Sequence, residues 1–258
     1  MSRRRDRRPI VGGTFVVTGG SSGIGAATVS ALRARGATVV TIDRAVDAGH
    51  RIDVTDPETV RATFDAIAAE HDGIDGVVHS AGVLATGAFC DVPVERQLAL
   101  VDVNLGGTIA VAHAALAHLR PSRGSLVLMG SASGFQGPPE YATYGATKAA
   151  IISLVQSLRI ELEEDGVHVA SCNPLFTATP MLGAPSAGAS LARTIGPAHT
   201  AEQVADAIVR GIERRSPMVL PGAKVRAMHG AGLWLGAFGH PIMRTTWRRS
   251  RRAPADRS

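Results

Sequence analysis

Short β-branched runs alternate with longer helix-forming ones along most of this 258-residue chain, and that alternation restricts the fold more than any single motif does. Strand-like runs stand at 14–18, 37–42, 51–54, 76–79, 125–129, 167–172 and 218–220. Helical patterns fall between them at 23–35, 57–71, 94–119, 144–164 and 201–214. Asp56 is placed to cap the second helix and Pro57 to occupy its first turn, while Gly124 and Gly166 mark two helix ends. Two strands joined through a helix pair in parallel, and a parallel sheet must be covered on both faces. The pattern therefore predicts a single α/β domain built on a doubly wound parallel sheet of about seven strands. Sites in such sheets lie just beyond the carboxyl ends of the strands, so chemistry is to be sought there.

Composition supports a folded core, with 45% apolar against 19% charged residues. The formal net charge of +5 points at first to an acidic partner, but its distribution argues otherwise. Residues 1–8 hold five arginines and one acid, and residues 244–258 hold six arginines and one acid. The body between these ends has 16 basic and 20 acidic residues, a net charge of −4. No body helix carries a basic stripe, so no nucleic-acid partner is expected. Cys90 and Cys172 stand far apart, without the Cys/His spacing of a metal site. Neither a disulfide scaffold nor a bound metal is expected, and a reducing cytoplasm fits. No leader-like apolar stretch follows the first arginines, and no run of 18 uncharged apolar residues exists. The nearest candidate, residues 227–243, contains His229 and His240 and reads as a buried or interfacial segment.

The first strand ends in Thr18-Gly19-Gly20-Ser21-Ser22-Gly23-Ile24-Gly25. Glycines there let the backbone turn tightly against a phosphate, and the next helix aims its first N–H groups at it. No Lys-Ser/Thr pair follows, which excludes a P-loop. The second strand ends near Asp43, 24 residues after Gly19. A carboxylate there accepts hydrogen bonds from both ribose hydroxyls of an adenosine and repels a 2′-phosphate, which favours NAD over NADP. Arg44 beside it works against that preference. Asp53 and Val54, after the third strand, stand where an adenine would lie.

The fifth strand leads into Ser131, with Tyr144 thirteen residues later and Lys148 four beyond that. Residues i and i+4 share a helix face. A phenol titrates near ~10, and a neighbouring ammonium is expected to lower that value. Such a tyrosine can exchange a proton with an alcohol or carbonyl oxygen that Ser131 orients. Of 27 basic residues only Lys148 and Lys224 are lysines. Where any positive charge suffices, this chain writes Arg, so Lys148 marks a need for a compact ammonium. Tyr141 has Gly145 four residues on and lacks such a partner.

Together these motifs resemble the short-chain dehydrogenase/reductase family over roughly residues 14–220. The likeness rests on Thr18-Gly19-x3-Gly23-Ile24-Gly25, Asp53-Val54, Ala81-Gly82, Asn104, Ser131 and Tyr144-x3-Lys148. It implies a Rossmann-type fold and a catalytic tetrad of Asn104, Ser131, Tyr144 and Lys148. Tyr144 would be the acid/base, Ser131 would polarise the reacting C–O group, Lys148 would bind the nicotinamide ribose, and Asn104 would support a relay water. Gly19, Ser21, Ser22, Gly23, Ile24, Gly25, Asp43, Asp53, Val54, Ser80, Ala81, Gly82, Tyr144, Lys148, Thr177 and Thr179 would hold the cofactor. Three departures stand out. His79-Ser80 replaces the family's two asparagines, Leu175 follows Pro174 where the family has glycine, and only nine residues separate Asp43 from Asp53. That gap is too short for the usual helix.

The expected organisation is a basic tail at 1–10, a catalytic domain at 11–222, and an apolar flap ending in a basic tail at 223–258. A substrate loop at about 179–198 offers Met181, Leu182, Leu191 and Ile195, with Arg193 its one charge. An uncharged, hydrophobic secondary alcohol or ketone is the expected substrate. The helix at 144–164 is apolar nearly all round, which suggests a homo-oligomer, either dimer or tetramer. Two alternatives remain on sequence alone. One is a non-catalytic dinucleotide-binding regulator. The other is a lipid or steroid reductase held at a membrane surface by residues 227–252, where Leu233, Trp234, Phe238 and Trp247 mix with arginines.

Overall fold

The computed structural model of the chain describes residues 10–45, 47–183, 196 and 198–235. Its first strand is β1 (Thr14–Thr18), an inner strand whose five residues are all buried. β2 (Thr38–Asp43) and β4 (Gly76–His79) flank it, and β3 (His50–Arg51), β5 (Ser125–Met129), β6 (His168–Cys172) and β9 (Met218–Val219) complete a seven-stranded sheet. The order is β3-β2-β1-β4-β5-β6-β9, and every pairing is parallel. The chain runs outward from β1 in one direction and then returns to its other side. The crevice between β1 and β4 is therefore the switch point where ligands bind in such sheets.

Helices cover both faces. α1 (Gly23–Arg33) and α7 (Ala201–Glu213) share one face, where Leu32, Val204, Ile208 and Ile212 meet Val17, Val78 and Val127. α2 (Pro57–Glu70), α4 (Gly107–Ser122) and α5 (Ala142–Glu161) cover the other, packing Phe64, Leu119 and Ile151 on Val16, Val77 and Leu126. Each such fully buried side chain contributes about 1.5–3 kcal/mol relative to exposure, so the two layers supply most of the fold's driving force. Asp56 caps α2 as expected, accepting from the N–H groups of Glu58 and Thr59.

Several elements differ from the sequence reading. The third strand is His50–Arg51, which overlaps the expected 51–54 only at Arg51, and no helix separates it from β2 among the described residues. The helical run from 94 is interrupted: α3 (Val94–Val101) passes through a wide π turn at Asp102–Gly106 before α4. The whole run Val94–Ser122 has the length and mean hydropathy of a membrane span, 1.4, yet α4 lies against the sheet as a core helix. Two short strands, β7 (Thr177–Ala178) and β8 (His199–Thr200), pair in parallel and pin both roots of the expected substrate loop. Between them, α6 (Pro180–Gly183) is followed by residues 184–195, which fall outside the described residues, as do both arginine-rich ends. The expected flap begins as α8 (Gly222–Leu235), whose His229 ring sits 4.6 Å from that of Phe135.

Candidate active site

The cleft opens at the carboxyl ends of β1, β2 and β4. Gly19 turns with φ +67, and a Cβ on it would stand 2.6 Å from the Ala81 nitrogen, so only glycine lets the two turns touch. Gly25 packs behind the loop, where a Cβ would overlap the Gly19 carbonyl oxygen. Ser22 starts α1 without a side-chain cap, and no acid occupies the first turn. Free N–H groups and the positive end of the helix dipole therefore face the cleft, a fit for a pyrophosphate. Gly19, Ser22, Gly23 and Ile24 line this end, with Ser80, Ala81 and Gly82 opposite.

The acids at the adenosine end are fixed from below. Asp43 accepts from the Ser21 N–H at 3.0 Å and the Arg44 and Ala45 N–H groups at 2.7 and 3.2 Å. Asp53 lines the same end beside Val54. The Thr55 N–H holds its carboxyl below the usual carboxylate range, helped by the Thr55 hydroxyl and Arg44. Arg44 reaches Asp53 at 3.7 Å, which draws its guanidinium sideways across the strand ends.

At the other end, Tyr144 and Lys148 line the cleft together from one face of α5. Lys148 is buried, and its Nζ donates to the Met129 carbonyl at 2.8 Å while lying 5.5 Å from the Tyr144 ring centre. Ser131 is buried, accepts from the Ser133 N–H at 3.1 Å, and hydrogen-bonds Tyr144. Asn104 sits inside the π turn, where its side chain accepts from the Val83 N–H and donates to the Val83 carbonyl. A π turn is rare and occurs mostly at functional sites, and here it sets that amide against the cleft wall.

One expectation about this end is corrected. The sequence reading has Lys148 lowering the tyrosine's pKa. Burial instead pushes Tyr144 up to about 12, with the Ser131 hydrogen bond pulling the other way. Burial also drops Lys148 to about 8. The low-dielectric cleft resists both charges, and the Met129 carbonyl takes the ammonium's hydrogen bond. Three expected cofactor residues also stand back from the cleft lining. Ser21 serves Asp43, Gly25 serves Gly19, and Thr177 is buried with its hydroxyl on the Leu175 carbonyl. Thr179 does line the cleft, beside Pro180 and Met181.

His79 takes up the position of the family's first asparagine in a different way. It is 1% exposed, and its Nδ1 lies 2.7 Å from the Thr18 hydroxyl. The same hydroxyl accepts from the Ala81 N–H, so His79 ties the glycine turn to the turn after β4. Burial, with Lys148 nearby, lowers its pKa to about 3 and keeps the ring neutral. Tyr141, set aside on sequence, stacks edge-on to Tyr144 at 6.2 Å and against Phe176 at 5.6 Å. With Leu84 these rings form an apolar wall beside the Tyr144 phenol. Only the apolar character of Phe176 and Tyr141 hinted at that wall, because the residues come from three separate loops.

A parallel sheet with a glycine turn at its switch point and a Tyr/Lys pair beside it defines a dinucleotide-fold oxidoreductase scaffold. The chain belongs to the short-chain dehydrogenase family, whose model matches residues 13–189. It is 37% identical over 180 residues to an uncharacterized oxidoreductase of Staphylococcus epidermidis, covering 64% of this chain and 78% of that one. A counterpart in Staphylococcus saprophyticus is 34% identical over 186 residues, covering 65% and 80%. Among solved structures, a short-chain dehydrogenase from Burkholderia cenocepacia in complex with NADP superposes with TM-score 0.78 over 93% of this chain and 99% of that chain. At 24% identity it speaks for the fold alone. A short-chain type dehydrogenase/reductase from Mycobacterium ulcerans is 28% identical, with TM-score 0.68 over 78% of this chain and 83% of that one.

Proposed function

We propose that this oxidoreductase interconverts a secondary alcohol and a ketone with NAD(H), using Tyr144 as the acid/base. The observation that carries the reading is the convergence of Tyr144, Ser131 and Lys148 at one end of a cleft whose other end presents a fixed Asp43. Bound there, the nicotinamide ring supplies or accepts the hydride. The chain's own residues do the rest. The free N–H groups of α1 hold the pyrophosphate, and Asp43 takes the adenosine ribose hydroxyls. Lys148 holds the second ribose by hydrogen bonding. Tyr144, kept protonated by burial, gives its proton to the carbonyl oxygen in the reductive direction and takes it back from the alcohol in the other. Ser131 orients that oxygen, and Asn104 keeps the adjacent wall in place through Val83.

The wall of Leu84, Tyr141 and Phe176 favours an uncharged, hydrophobic substrate. We propose a homo-oligomer as the working form. The test of the chemistry is Tyr144→Phe. Positioned proton transfer contributes roughly 10²–10⁴-fold, so turnover should fall by that factor while NADH fluorescence still reports unchanged cofactor binding. Turnover equal to wild type removes Tyr144 from the mechanism.

A further inference from the structure

Lys224, the lysine that the chemistry above leaves unused, stands where a cation is least favoured. It lies in the first turn of α8, which has no acidic residue there, and Arg226 follows. A helix start carries unsatisfied N–H groups and about half a positive charge, so both side chains place like charge on like. Across a groove of about 710 Å³, α7 presents Arg210 and, at its end, Arg214. Those two suit the carbonyl end of α7, but Lys224 and Arg226 sit at the opposite kind of helix end. Among the described residues lining this groove, Asp206 is the one acid. Among the described residues, Lys224, Arg210 and Arg214 have no hydrogen-bonded or ion-paired side-chain partner.

A second observation is independent of these charges. His199, in β8, lines the groove and is only 9% exposed, and among the described residues its buried Nε2 has no hydrogen-bond partner. Its ring is pressed against Gly222, which turns with φ +75 and whose Cβ, if present, would stand 2.5 Å from the ring's Cε1. Glycine thus brings the opening turn of α8 directly over the imidazole. Burial and Lys224 both lower the ring's pKa.

We infer that this groove is a binding site for a doubly charged oxyanion of the phosphate or phosphate-ester class. The first turn of α8, Lys224 and Arg210 would hold it, with the His199 ring packed beneath that turn. Four cations against one acid concentrate positive charge on a body that is otherwise net acidic. The chain's own ends are net basic, which disfavours them as the occupant. A groove of this size holds a phosphate together with an organic substituent. None of its lining residues is shared with the cofactor cleft. It also adjoins the root of the substrate loop, because Ala198 donates to the Phe176 carbonyl and His199 pairs with Thr177.

The test is calorimetric titration of the full chain with inorganic phosphate and with glycerol phosphate, against chloride at equal ionic strength. Saturable binding is expected, with affinity reduced at least about tenfold in Lys224→Glu and in Arg210→Gln, since each removes a charge-assisted contact. Both positions are exposed, so both variants should fold, and the tighter of the two ligands identifies the source of the phosphate group. Four results each overturn the proposal: no binding by wild type, equal heats with chloride, binding unchanged in both variants, or variants that alter only the oligomeric state. Unchanged binding would place phosphate elsewhere, with the start of α1 the next place to look.

Discussion

Asp43 and His79 act on the same cleft in different ways, one by where its carboxylate is held and the other by refusing a charge. Asp43 accepts from three backbone N–H groups, which fixes its carboxylate at the edge that a 2′-phosphate would approach and leaves acceptor capacity on Oδ2 for the ribose. Arg44, the residue able to offset that repulsion, is drawn toward Asp53. NADH should therefore give the higher kcat/KM, and Asp43→Ala should narrow the gap chiefly through KM. Equal efficiency in the wild type would defeat the argument. His79 makes a stability prediction. Its folded pKa of about 3 lies below the ordinary 6.5, so between those values the unfolded chain binds a proton that the folded one excludes. Stability is thus intact above pH 6.5 and falls as pH drops toward 3, by up to about 1.4 kcal/mol per unit. Urea midpoints at pH 7 and pH 5 should separate more in wild type than in His79→Asn, which keeps a polar group without the titration. Equal separation would show that the ring does not carry the acid sensitivity.

The helices over the active-site face carry a surface that the fold itself does not bury. Val94 and Leu98 on α3, Ile109 on α4 and Ile160 on α5 are 59%, 58%, 51% and 77% exposed. Burying one such side chain is worth about 1.5–3 kcal/mol, so association that covers them is favoured. Leu98→Glu and Ile160→Glu should each shift the protein to a smaller species in chromatography with light scattering. A wild type that is already monomeric at micromolar concentration would sink the oligomer proposal. The same helices show where sequence stops being informative. A π turn at Asp102–Gly106 adds one residue to a helix that otherwise continues, so its periodicity reads as unbroken. β7 and β8 are two residues each, below the length at which alternation can register. α8 contains Gly222, Gly230 and Gly232, poor helix formers at about 1 kcal/mol each in a helix interior, and the sequence showed it only as an apolar flap.

At the scale of the whole molecule, the order of strands and helices was legible because each carries its own hydrophobic period. The Tyr144/Lys148 pairing was legible because it follows from helix spacing alone. The partners that fix them were not. The Met129 carbonyl under Lys148 and the Val83 backbone around Asn104 are main-chain groups, which no residue name encodes. The apolar wall by Tyr144 needed three loops to meet. Charge is the property that sequence describes best and that is most easily misread. The net +5 belongs to the two ends, since the body between residues 9 and 243 is net −4. An acidic body repels a polyanion, whereas clustered arginines bind one and release its counterions, so retention should fall steeply with salt. Removing residues 1–8 and 244–258 should therefore abolish low-salt retention on a DNA column. Alcohol–ketone turnover with NAD(H) should be unchanged, because every residue assigned to that chemistry lies between positions 19 and 179. Turnover lost with retention would give the arginine-rich ends a part in catalysis. Retention that survives truncation would trace polyanion binding to the body, where the groove between α7 and α8 is the one basic surface described above.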